Sequence, residues 1–110
     1  MLFCITANYT PQALEAMGKN PNTNRREAVE KLVTAAGGKL VAMYGTISEG
    51  PGAMVIFEAD PGVAPAIAAV AAASGGVTNV RAQRLLSGEE VRAARQKRVE
   101  LQKSYRAPGQ

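Results

Sequence analysis

The segment KLVAMYGTISEGPGAMVIFEAD, Lys39 to Asp60, decides the fold. Two apolar runs, Leu40 to Ile47 and Ala53 to Phe57, flank Ser48-Glu49-Gly50-Pro51-Gly52, a loop whose length and composition turn one strand back on the next. The segment therefore predicts a β-hairpin. Outward from it, each side leads through a helical segment to a further strand, which predicts two strand and helix units joined at the turn.

Upstream, Leu2 to Tyr9 is rich in β-favouring residues and alternates, with Phe3, Ile5 and Ala7 on one side and Cys4, Thr6 and Asn8 on the other. Thr10-Pro11 suits a short helical turn through Met17, which Gly18-Lys19-Asn20-Pro21-Asn22 breaks. Asn24, three residues before Glu27, is an asparagine variant of the capping box. Ala28, Val29, Leu32, Val33 and Ala36 follow at helical spacing up to a Gly37-Gly38 stop.

Downstream, Asp60-Pro61-Gly62 leads into an alanine-rich helix reaching about Ser74, with Pro65 in its first turn. Gly75-Gly76 stops that helix, and Val77 to Leu86 reads as a fourth strand. The repeated order of helix end, Gly-Gly and strand start is an internal echo that supports a split βαβ, or ferredoxin-like, βαββαβ arrangement. Right-handed crossovers place both helices on one face of a four-stranded antiparallel sheet. Ser87-Gly88-Glu89-Glu90 is a further capping box, opening a helix to about Tyr105. Its apolar stripe of Val91, Ala94, Leu101 and Tyr105 is thin and interrupted by Arg98. The expected class is α+β, with a domain over residues 1–88 and a basic C-terminal helix and disordered tail over residues 89–110.

Composition narrows the chemistry. A chain of 110 residues can enclose a core without disulfides or metal. Cys4 is the one cysteine and there is no histidine, so no intrachain disulfide, histidine-based triad or dyad, or common zinc spacing is available. No cofactor or metal is expected. The net charge of +4 is uneven: from Arg81 onward eight basic residues face three acidic ones, and the preceding part carries five basic and six acidic groups. The start, MLFCITANY, lacks a basic leader and a long hydrophobic stretch, and the longest apolar run, Val63 to Ala73, is too short to span a bilayer. The expected setting is soluble, reducing and cytoplasmic, without a membrane partner.

The side of the sheet away from the helices is unusually apolar. With Phe3, Ile5, Val41, Met43, Val55 and Phe57 assigned to the helices, the opposite face presents Cys4, Leu40, Ala42, Tyr44, Met54, Ile56 and Leu85. Four strands of this length make a face on the order of 300 Å². Leaving it wet forgoes up to roughly 8 kcal/mol at about 25 cal/mol per Å². This predicts a homodimer with two sheets face to face. Thr6, Asn8, Thr46, Glu58, Arg81 and Gln83 share that face and, with Tyr44, are the candidate ligand-binding residues of a cavity between the sheets. Glu58 is the candidate acid or base, and a solvated strand-end carboxylate paired with Arg81 is the competing reading. Cys4 reads as a small buried residue, and Gly50-Pro51-Gly52 as a plain turn.

Several fragments in collinear order resemble the GYD-domain family: Tyr9-Thr10-Pro11-Gln12, Ala36-Gly37-Gly38-Lys39-Leu40, Tyr44-Gly45-Thr46, Val55-Ile56-Phe57-Glu58-Ala59, Asn79-Val80-Arg81 and Ser87-Gly88-Glu89-Glu90. The resemblance spans about the first ninety residues. It implies a ferredoxin-like fold that assembles as a dimeric α/β barrel, and it implies no particular activity. The Gly-Tyr-Asp signature of the family is not preserved. The hairpin instead reads Glu49-Gly50-Pro51-Gly52-Ala53 and is one residue longer, so no role of that tyrosine and aspartate transfers.

The leading functional expectation is a non-catalytic homo-oligomeric domain that binds a small molecule or a protein partner. One alternative is a cofactor-free isomerase or monooxygenase of the dimeric α/β barrel type, using Glu58 with Thr6, Asn8, Tyr44 and Arg81. Another is nucleic-acid binding through Arg92, Arg95, Lys97, Arg98, Lys103 and Arg106. For that helix a solvated face or an oligomer contact is the stronger reading, because Tyr105 is its only aromatic.

Overall fold

The structure, a computed structural model, describes all residues from Met1 to Gln110. Its elements are β1 (Leu2–Tyr9), α1 (Pro11–Lys19), α2 (Arg25–Ala35), β2 (Lys39–Thr46), β3 (Gly52–Glu58), α3 (Ala64–Ala73), β4 (Val77–Leu85) and α4 (Gly88–Gln102). The strands form one sheet in the order β2-β3-β1-β4, and all neighbours are antiparallel. This is the ferredoxin-like α+β arrangement expected from the hairpin and its flanks.

Alternation in β1 and β3 builds the core directly. Phe3 pairs with Phe57 and Ile5 with Val55, so all four point to the helix side. The Phe3 and Phe57 rings stack with centroids 5.8 Å apart. Val33 of α2 and Phe57 are fully enclosed, and Ala59, Ala64 and Ile67 complete the cluster.

The helices begin and end where local chemistry dictates. Asn24 accepts the Glu27 N–H and caps α2, and Pro65 sits in the first turn of α3, where no intrahelical donor is lost. The two Gly-Gly stops act alike: Gly37 takes φ +82° and Gly75 φ +77°, left-handed values that a Cβ would strain. The first crossover contains an additional full helix. The turn expected from Thr10-Pro11 is α1, capped by Thr10 Oγ1, which accepts from the Ala13 N–H.

One face assignment is corrected. Leu40 pairs with Phe57 and Ala42 with Ile56, so Val41 is the extra residue of a β-bulge. The bulge turns Leu40 inward, where it is buried, and leaves Val41 48% exposed. Strict alternation gives the reverse for this pair.

The helix α4 packs differently from the rest. Its start is a complete capping box: Ser87 Oγ accepts from the Glu90 N–H, and a Glu90 carboxylate oxygen accepts from the Ser87 N–H. None of its residues is buried. It ends at Gln102, three residues before Tyr105, where the Ser104 N–H donates to the Leu101 carbonyl in a tighter turn. An apolar stripe that buries nothing does not hold a last turn in place. No helix of the chain is long and apolar enough to cross a membrane.

Candidate functional site

The uncovered side of the sheet has two zones. At its middle lie Cys4, Ile56 and Ala42, with Met54 and Tyr44 paired beside them and Leu85 at the end where Leu2 pairs with Glu58. Cys4 is buried even without a covering layer, whereas Tyr44 is 60% exposed. Burial raises the Cys4 thiol above its usual range.

At the hairpin end the same face becomes polar. Thr6, Asn8, Thr46, Ser48, Glu49, Asn79 and Arg81, with Ala7 and Met54, line a basin of about 250 Å³. Register explains the convergence: Thr6 stands opposite both Met54 and Arg81, and Thr46 lies opposite Gly52, which in turn faces Asn8.

Asn8 organises the basin. Its Nδ2 donates to the carbonyls of Ser48 (3.2 Å) and Gly50 (3.4 Å), and its Oδ1 accepts from Asn79 Nδ2 (3.2 Å). The Tyr9 N–H donates to the Pro51 carbonyl at 2.9 Å, so the hairpin loop is tied to the end of β1 by backbone and side chain together. Asn79 adopts φ 55° where the register of β1 and β4 shifts, a left-handed value that asparagine tolerates better than most residues. Gly52 is required for a different reason. A Cβ there would collide with the Ala7 carbonyl oxygen and lie 2.9 Å from Thr46 Oγ1.

Thr6, Asn8, Thr46 and Arg81 thus come together. Tyr44 and Gln83 lie on the same face but outside the basin lining. Glu58 pairs with Leu2 and Lys39, four residues along β3 from Met54, or about 13 Å. It is exposed in the single chain. Sequence reasoning missed Ser48 and Glu49, which read as turn residues, and Asn79. The signal for Asn79 is an asparagine within a strand, a residue type that favours turns and bulges.

The basin offers hydroxyl and amide groups, one carboxylate and one guanidinium, a set suited to a small ligand with several oxygens. No three His, Cys, Asp or Glu side chains gather in a group able to hold a metal ion.

Fold and face together define a ferredoxin-like α+β domain with a polar basin on a partly apolar, uncovered sheet. The chain belongs to the GYD-domain family, whose model matches residues 3–94. The match ends within α4. Among solved structures, the fold is similar to 5-chloro-2-hydroxyhydroquinone dehydrochlorinase from Burkholderia phenoliruptrix AC1100, in complex with 2,5-dihydroxybenzoquinone. That likeness has a TM-score of 0.55 at 18% identity and covers 81% of this chain and 97% of the other. At that identity it shows the fold alone. No curated protein matches the chain.

Proposed function

We propose that this chain is a homodimeric, non-catalytic domain that binds a small oxygen-rich molecule between two face-to-face sheets. The observation that carries the reading is the composition of the face without helices. Ala42, Tyr44, Met54, Ile56 and Leu85 remain accessible there and adjoin a basin whose polar groups are held by Asn8. Covering the apolar part removes it from water, and the same covering layer would enclose the polar end.

Thr6, Asn8, Thr46 and Arg81 are the proposed contacts, with Ser48, Glu49 and Asn79 added from the basin. Tyr44, Gln83 and Glu58 would join only through a second copy. The enzyme alternative needs Glu58 desolvated and near the ligand, and the single chain provides neither. Residues 1–88 are the proposed binding domain and residues 89–110 an appendage. A cytoplasmic location accompanies this proposal.

The ligand of the structural neighbour supplies a probe. 2,5-Dihydroxybenzoquinone titrated calorimetrically should bind saturably, and Arg81→Gln should weaken binding about tenfold, as expected for one charge-assisted hydrogen bond. Binding that is absent, or unaffected by Arg81→Gln, contradicts this placement of the ligand.

A further inference from the structure

The helix side of the sheet carries an unfilled space of its own, across the sheet from the basin, with Ala7 lining both. Where α2 begins and α3 ends, small side chains oppose one another: Ala7 and Ala53 on the sheet, Ala71 on α3. With Val29 and neighbouring apolar residues they line a chamber of about 80 Å³. Tyr9 and Arg25 are its polar lining residues. The same two residues, with Asn20 and Thr23, line a wider cleft of about 380 Å³ beneath α1. That volume lies within the range of small-molecule pockets, about 300–1,000 Å³.

Two features make this a receptive space rather than loose packing. First, Arg25 belongs to none of the ion pairs of the chain, and the Tyr9 hydroxyl makes no hydrogen bond within 3.5 Å. A cation without a carboxylate therefore stands beside an apolar hollow. Second, the cover over the cleft is separable from the core. The helix α1 buries none of its residues, and its start is tied down by Thr10, whose N–H and hydroxyl donate to the Gly76 and Gly75 carbonyls. Displacing α1 would uncover the cleft without opening the Phe3, Val33 and Phe57 core.

We propose that the chamber and cleft bind a small carboxylic acid with a compact apolar tail. The tail would occupy the space among Ala7, Ala53 and Ala71, and the carboxylate would accept from the Arg25 guanidinium and the Tyr9 hydroxyl. A neutral apolar molecule would leave Arg25 unpaired, and a bare anion would leave the chamber empty. An acid with a tail satisfies both. This site is distinct from the basin, which lies on the opposite face of the sheet and shares only Ala7 with it.

The test is an amide NMR titration of the full chain with benzoate and hexanoate, using benzyl alcohol and hexanol as uncharged counterparts. The acids should give saturable shifts at Tyr9, Arg25, Ala71 and Val77, and the alcohols should bind much more weakly. Arg25 is exposed at the first position of α2, so Arg25→Gln should retain the spectrum of the folded chain and weaken acid binding about tenfold. The proposal is overturned if neither acid shifts these amides at millimolar concentration, if the alcohols bind equally well, or if Arg25→Gln binds like the parent chain. Shifts centred on Thr6, Asn8 and Arg81 would also overturn it, by assigning the acids to the basin.

Discussion

Asn79 Nδ2 donates to Asn8 Oδ1 at 3.2 Å, joining the register shift of β4 to the strand that holds the hairpin loop. Because Asn8 also donates to Ser48 and Gly50, one side chain links three separate segments at the basin. Asn8→Ala should cost about 1–2 kcal/mol of stability, since the bonds are exposed and water replaces them in part. Amide exchange at Ser48, Glu49 and Gly50 should rise more than anywhere else. Uniform exchange across the chain would contradict this role.

Gly52 and Gly18 should respond oppositely to alanine. At Gly52 the added Cβ meets the Ala7 backbone, which cannot move without disturbing the pairing of β1 and β3. A loss of about 1–3 kcal/mol or more is expected from the overpacking. At Gly18, inside α1, nothing lies within 4 Å of the added methyl, and a gain of up to about 1 kcal/mol follows from helix propensity. Urea midpoints of the two variants test the pair.

Glu90 holds the first turn of α4, and its carboxyl is lowered below the usual range. The main cause is the hydrogen bond from the Ser87 N–H, and Arg84 beside it adds to the effect. A carboxylate lowered in the folded state favours the capped helix above its ordinary value, about 4.3, and the contribution is lost as pH falls through the lowered value. Amides at the start of α4 should therefore lose exchange protection only in acid. Glu90→Gln should abolish that pH dependence while leaving the core unaffected.

Cys4 should resist alkylation at neutral pH, because it is buried and its thiol is raised by that burial. The reaction rate, followed by mass spectrometry in the native state, should climb only above the ordinary thiol range of about 8.5. Brisk labelling at pH 7 would show that the central face of the sheet opens frequently.

Features that depend on near neighbours in the chain were legible from sequence. The hairpin, the Asn24 cap, the Ser87 capping box and both glycine stops are local signals, and each stands where its residues place it. The extra residue Val41 was not legible, because a bulge shifts the phase of alternation without leaving a compositional mark. The same limit governs the site. Alternation identifies which residues share a face, so Thr6, Asn8, Thr46 and Arg81 were accessible to reasoning. Distance along the strand depends on register, which alternation does not carry, and Glu58 shares the face of Thr6, Asn8 and Arg81 but lies at the other end of the sheet.

In the proposed homodimer a second copy covers the face presented by Cys4, Ala42, Tyr44, Met54, Ile56 and Leu85. Sedimentation equilibrium across a micromolar concentration series, on the parent chain and on Ile56→Asp, tests it most directly. The parent chain should sediment at twice 11.5 kDa, and the variant should dissociate to a folded or partly folded single chain. A parent chain that stays at 11.5 kDa at every concentration would contradict it.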